Sequence, residues 1–227
     1  MAEREAAQAR LRADPKLAGY PPAYLTMLLD ACEWRRIPSG TRLFTAGDNS
    51  SPVHAVASGF VGFESSLAVP DLAMIDVMKA PFWLVGRPHV QGGIRLNTGN
   101  ALSELIVGTV STTRFEALTA IEPALHNFKA RVTLDMFFEA LESLTDALIF
   151  DNRIRLISTL LRIAGSKHAS NSPTVVPISQ TELSALTKLS RQTCGELLRG
   201  FEREGLIRLG YREIEVLQPA RLRAMIG

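Results

Sequence analysis

The sequence predicts an α+β chain in three parts: a β-roll or jelly roll, one long helix, and a C-terminal winged helix-turn-helix. Three observations predict it. Short β runs separated by turn residues fill positions 31–118. From 122 to 150 the apolar spacing changes to three and four, with no Gly or Pro beyond Pro123. Residues 178–217 then read as cap, helix, tight turn, second cap, helix and hairpin.

The N-terminal stretch MAEREAAQARLRADPKL is charged throughout and lacks the apolar centre of a signal peptide. No apolar run approaches the ~20 residues of a membrane span, so no membrane partner is expected and the expected location is the cytoplasm. Cys32 and Cys194 are too few for a disulfide framework and lack paired metal-ligand spacing. A helical stretch at 22–31 precedes candidate strands at 34–37, 42–45, 53–57, 60–64, 74–77 and 105–110. Pro38-Ser39-Gly40, Gly47-Asp48-Asn49 and Ser58-Gly59 supply the turn chemistry between them. Such strands imply a barrel or jelly roll.

In the long helix Leu134, Phe137, Leu141, Leu144 and Leu148 step by three and four and form a heptad seam. Phe128, Val132 and Met136 lie on a neighbouring face suited to packing on the barrel. A helix apolar on two faces needs two partners, and a parallel dimer is favoured over a core helix of a monomer. Phe150-Asp151-Asn152 interrupts the pattern as a hinge, with Asp151 as N-cap of a helix over 152–164. A polar loop at 165–173 leads to a short strand at 174–176.

The last segment carries the densest local signals. Ser179 and Glu182 form a capping box for the first short helix, and Leu183 and Leu186 give it an apolar edge. Thr187, Lys188 and Leu189 make the turn, and Ser190 caps the second helix. On that helix Cys194, Leu197, Leu198 and Phe201 share one face; Gln192, Glu196, Arg199 and Arg203 share the other. Gly205 ends it, and strands at 207–209 and 214–217 flank Gly210-Tyr211. An ordinary helix pair under a hairpin would look similar. Two features point instead to nucleic acid. Ser190-Arg191-Gln192-Thr193 puts residues suited to base edges and phosphates at a helix N-terminus. Charge is also divided: residues 1–150 hold 13 Lys and Arg against 16 Asp and Glu, a net of −3, whereas residues 151–227 hold 12 against 7, a net of +5.

This order of barrel, long helix, hinge and winged helix resembles the Crp/Fnr family of bacterial transcription regulators. The likeness is strong over 151–217 and fair over Pro38-Ser39-Gly40, Gly47-Asp48 and Ser58-Gly59-Phe60-Val61. It is poor over 81–101. The resemblance implies a β-roll sensor domain at 1–121, a dimerisation helix at 122–150 and a DNA-binding domain at 151–227. It implies that Arg191, Gln192 and Glu196 read base edges, that Ser190 and Thr193 hold phosphates, and that Arg199 joins them. Arg can pair with guanine, Gln with adenine, and Glu can accept from cytosine. Many members carry Arg where this chain has Glu196 and Glu where it has Gln192, so the half-site is its own. Lys188 stands where glycine is frequent, and Gly195 inside the helix costs about 1 kcal/mol relative to Ala. Close backbone approach to the first helix or to DNA would account for Gly195.

Members that bind cyclic nucleotides carry Gly-Glu-Leu and Arg-Ser-Ala or Arg-Thr-Ala. Here Arg87 stands about where the Glu belongs, and Gly99-Asn100-Ala101 replaces the second motif. Cyclic AMP control is not expected, and Arg95 is a stray cation with two readings, a partner for an anion or, the favoured one, a solvated surface residue. Two cysteines are too few for an iron–sulfur cluster. A haem would need an axial ligand, for which His54, His89 and His126 qualify by type only. Cys194 reads as a small buried residue, with a redox switch as the sharper alternative. A cupin-like barrel without a DNA-binding role would need closely spaced histidines, whereas His54, His89, His126 and His168 are far apart. The expectation is a non-enzymatic, homodimeric regulator that binds double-stranded DNA at a palindromic operator, with RNA polymerase a further partner open to it. No cofactor is expected, and a small organic effector stays unidentified.

Overall fold

The computed structural model describes residues 2–14, 17, 20–50, 52–66, 74–86, 95–165 and 171–226. Helices α1 (Ala2–Arg12) and α2 (Pro22–Ala31) lead into β1 (Glu33–Ile37), β2 (Arg42–Phe44), β3 (Val53–Ser58), β4 (Phe60–Ser65), β5 (Met74–Lys79), β6 (Phe82–Val85), β7 (Asn97–Ala101) and β8 (Leu105–Val110). All six expected strands are present. Strands β6 and β7 were not anticipated, nor were α1 and α3 (Thr112–Ile121). Ser111 starts α3 by accepting a hydrogen bond from the Arg114 amide. The strands form two four-stranded sheets, in the orders β1-β8-β3-β6 and β2-β7-β4-β5.

The register of the first sheet sorts its side chains onto two faces. His54 pairs with Leu84 and Thr109, and Val56 pairs with Phe82 and Val107. Directly opposed residues share a face, so these six side chains face one way. On the other face Val53, Ala55, Ala57, Trp83, Val85 and Val110 join Ala7, Leu11, Leu28 and Leu29 in one apolar cluster. Phe44 crosses the interior from the second sheet, its ring near-parallel to His54 with centroids 6.3 Å apart. Gly99 on β7 makes room for it: a Cβ there would lie 2.5 Å from the Phe44 ring. Gly59, at φ +95°, turns β3 into β4 where a Cβ would meet the Glu104 carbonyl at 2.4 Å.

Helix α4 (Leu125–Leu148) follows. Leu125, Phe128 and Val132 are buried in the same cluster and Met136 packs against it, as their shared face implied. Trp83 meets the Phe128 ring edge-on at 4.8 Å. Leu134, Phe137, Leu141, Leu144 and Leu148 are 44–74% exposed.

Contacts divide the chain into two compact units, Met1–Val61 with Ala80–Glu139 and Gly62–Lys79 with Ala140–Gly227. The second unit holds α5 (Asn152–Ile163), β9 (Thr174–Val176), α6 (Gln180–Thr187), α7 (Arg191–Arg203), β10 (Ile207–Gly210), β11 (Glu213–Val216) and the short α8 (Pro219–Arg223). Asp151 caps α5 by accepting from the Ile154 amide at 2.8 Å. Beyond the interruption at Phe150, Arg162 ties three segments of this unit together. Its guanidinium donates to Asp76 of β5 at 2.6 Å and to Asp146 of α4 at 2.9 Å; Ser158 donates to the other Asp146 oxygen at 2.6 Å. Lys79 donates to the Ala164 carbonyl at 3.0 Å and to Thr174 at 3.1 Å, closing the C-terminal end of α5.

Candidate nucleic-acid interface

The second unit builds its outer surface from capped helices. Ser179 accepts from the Glu182 amide, and Glu182 accepts from the Ser179 amide at 2.8 Å, so the capping box is complete. The second Glu182 oxygen accepts from Arg212 at 3.0 Å. Arg212 sits in the turn of the β10–β11 hairpin at φ 54°, so one carboxylate joins the start of α6 to the tip of the wing. The hairpin continues through β11 to β9 as a three-stranded sheet. Beside Arg212, Tyr211 is almost fully exposed. The sequence reading gave neither residue a role, although an aromatic and a cation in a hairpin turn were visible signals.

Lys188 ends α6 in the left-handed region, at φ 55° and ψ 30°. The chain reverses there while buried Thr187 donates to the Leu183 carbonyl at 2.8 Å. Ser190 then caps α7: its hydroxyl accepts from the Thr193 amide at 3.0 Å and lies 2.8 Å from the Thr193 hydroxyl. Along α7 the side chains divide by period. Cys194, Leu198 and Phe201 are fully buried, and Leu197 is half-buried. Arg191, Gln192, Glu196, Arg199 and Arg203 are exposed, with Thr193 partly so. Gln192 donates to Glu196 one turn on, at 3.0 Å.

Four arginines of this unit are ion-paired. Arg153, Arg208 and Arg212 reach Glu204, Glu215 and Glu182, and Arg162 reaches its two aspartates. Among the described residues, Arg191 and Arg199 have no carboxylate partner. Both guanidiniums lie on the outer face of α7 with that of Arg203, and Arg191 stands at an N-terminus whose amides favour anions.

Gly195 is buried, yet a Cβ there would lie 3.4 Å from the Arg199 guanidinium and 3.5 Å from the Gln180 side chain. Both neighbours are flexible ends, so close packing of α6 does not require a glycine. Cys194 is buried on the inner face, where desolvation pushes its thiol up to about 11. The thiolate is the reactive form, so at neutral pH the residue behaves as core, against the redox alternative.

In the first unit Arg95 corrects the surface reading: it is 8% exposed, with its guanidinium carbon 4.0 Å above the Phe44 ring. Gly99 lies inside β7 against that ring. His54 is buried, His126 is exposed on α4, and His89, His168 and Arg87 lie outside the described residues. Among the described residues no group of three or more His, Cys, Asp or Glu is placed to hold a metal.

Residues 154–225 match the family model of the Crp-like helix-turn-helix domain. The chain carries a Crp-like helix-turn-helix. No curated protein matches the sequence. Solved structures similar to most of the chain include three bacterial proteins. The c-di-GMP-responsive global regulator CLP of Xanthomonas campestris is 17% identical, with TM-score 0.64, over 86% of this chain and 99% of that one. A CRP/FNR-family transcriptional regulator from Thermus thermophilus is 18% identical, with TM-score 0.65, over 86% and 98%. FixK2 from Bradyrhizobium japonicum is 14% identical, with TM-score 0.69, over 86% and 98%. At these identities the likeness establishes the fold: an N-terminal sheet domain, a long helix and a Crp-like domain, as in the Crp/Fnr transcriptional regulators. No helix among the described residues is long and apolar enough to cross a membrane.

Proposed function

We propose that this chain is a sequence-specific transcription regulator that binds an inverted-repeat operator as a homodimer and is not controlled by cyclic AMP. The observation that carries the reading is the outer face of α7, where unpaired Arg191 and Arg199 flank Gln192 and Glu196 beside the Ser190 cap. In the major groove Arg191, Gln192 and Glu196 meet base edges, while Ser190, Thr193 and Arg199 meet phosphates. The wing adds Arg212 and Tyr211 along the backbone. The exposed stripe of Leu134, Phe137, Leu141, Leu144 and Leu148 supports a two-fold partner through α4. The working parts are a sensor domain at 1–121, a dimer helix at 122–150 and a DNA-binding domain at 151–227. Phe44, packed on Gly99, leaves no space where the nucleotide-binding members carry their phosphate-holding Arg.

Selection of random duplexes by the purified protein tests this. One two-fold palindrome is expected, with half-sites about one helical turn (~34 Å) apart. Enrichment of nothing, with binding that ignores salt, would overturn the proposal. Arg191→Ala should cost about 1–3 kcal/mol on the selected site and relax one base position per half-site. An unchanged base preference in that variant removes Arg191 from base reading.

A further inference from the structure

Gln192 and Glu196 stand one turn apart on the outer face of α7, and the Gln192 amide donates to Glu196 Oε1 at 3.0 Å. An ionised carboxylate only accepts, so the nitrogen of the amide, and not its oxygen, must be the end that meets Glu196. Turning the amide end for end would set two acceptors against each other. The neighbouring cations do not compete for this carboxylate. The ion pairs of this unit among the described residues use Asp76, Asp146, Glu182, Glu204 and Glu215 and leave Glu196 out. Arg199 lies over Gly195 instead, its guanidinium 3.4 Å from where a Cβ would stand and the Gln180 side chain 3.5 Å from the same point. Arg203 turns its Nε to the Arg199 carbonyl at 3.3 Å. Glu196 therefore holds an amide in one orientation on the face that carries the free guanidiniums.

We propose that Glu196 is a positioning residue for Gln192, fixing its amide so that Gln192 selects adenine and rejects guanine; this rests on the regulator reading above. The major-groove edge of adenine offers an acceptor at N7 and a donor at N6, whereas guanine offers two acceptors, N7 and O6. With one N–H held by Glu196, Gln192 keeps one N–H and its oxygen, the combination that matches adenine. Against guanine the same oxygen would face O6 with no proton between them. Cytosine can give one bond to the oxygen and thymine can take one from the N–H, so only adenine uses both groups. An unrestrained glutamine can turn either end to a base; the carboxylate removes that freedom. The second Glu196 oxygen is left to accept from a cytosine, so orienting Gln192 and meeting a base edge are compatible.

The test selects random duplexes with the full chain and with three variants. Gln192→Ala marks the base position that Gln192 reads, as the one whose preference relaxes. In the unaltered chain that position should be adenine, favoured over guanine about tenfold or more. Glu196→Ala and Glu196→Gln should each cut that ratio to about threefold or less and leave the position relaxed by Arg191→Ala unchanged. Glu196→Gln is the sharper variant: it keeps the shape, but its own amide can accept or donate and so holds Gln192 in neither orientation. Glu196 is exposed on α7, so neither change threatens the fold, and a merely structural role would not alter a base preference at another residue's position. A palindrome with a base other than adenine at that position, or an adenine preference undiminished in Glu196→Gln, overturns this inference and leaves the regulator reading standing. Enrichment of no sequence by the unaltered chain overturns the regulator reading and this inference with it.

Discussion

Arg162 and Arg95 are both buried arginines, and they are treated in opposite ways. Arg162 has a carboxylate on each side and Ser143 as a third partner, at 3.2 Å. Burial alone would lower its pKa, but the Asp76 and Asp146 contacts outweigh it and the net shift is upward. Arg95 has a ring face and, among the described residues, no ion pair; burial lowers its pKa, with only a partial offset from Asp48. A buried charge with satisfied partners is architecture. A buried charge without such partners is held against its own solvation. The same protein therefore uses one residue type to fix a junction in one unit and to hold an unanswered charge in the other.

The largest expected effect breaks the satisfied side of this contrast. Asp146→Ala leaves Arg162 buried with one carboxylate fewer and orphans Ser158, and should destabilise the chain by about 3–5 kcal/mol in urea unfolding. A loss below about 1 kcal/mol would mean that Arg162 tolerates burial no worse than Arg95 does. The next effect sharpens the unsatisfied side. Burial and the nearby charges of Arg95 and Arg35 lower His54 from 6.5 to about 4. The unfolded chain therefore takes up this proton first. The His54 contribution is intact above pH 6.5 and is lost as the pH falls toward 4, by up to about 1.4 kcal/mol per pH unit. His54→Gln should flatten that part of the stability profile; an equally steep profile in the variant would mean the slope arises elsewhere. The smallest effect concerns an exposed cation with no burial to offset. Lys188→Gly should raise stability by about 1 kcal/mol by relieving its left-handed backbone, and an unchanged unfolding midpoint would show that the turn carries no strain.

Legibility followed the range of the interactions. The capping box of Ser179 and Glu182, the Ser190 and Asp151 caps and the two faces of α7 act within four residues, and each was readable from the sequence. The exposed and buried faces of α4 were readable for the same reason. Strand β7, Asn-Thr-Gly-Asn-Ala, has little strand propensity of its own; it exists because β2 pairs with it and Phe44 packs on Gly99. Strand β6 is a four-residue apolar run, too short for its period to identify it. Arg95, between Ile94 and Leu96, looks like the polar member of an alternating surface segment, and only the closure of the roll buries it. The Arg162–Asp76 pair joins residues 86 apart, and no local pattern announces it.

The exposed stripe of α4 reaches beyond architecture. With the stripe covered by a second copy, as proposed, the DNA-competent species is second order in the chain. At expression levels below the dimer constant, operator occupancy would rise with the square of gene dosage. A subunit with an intact α4 and a silent α7 would poison its wild-type partner: five apolar side chains make inheritance of a defective copy dominant.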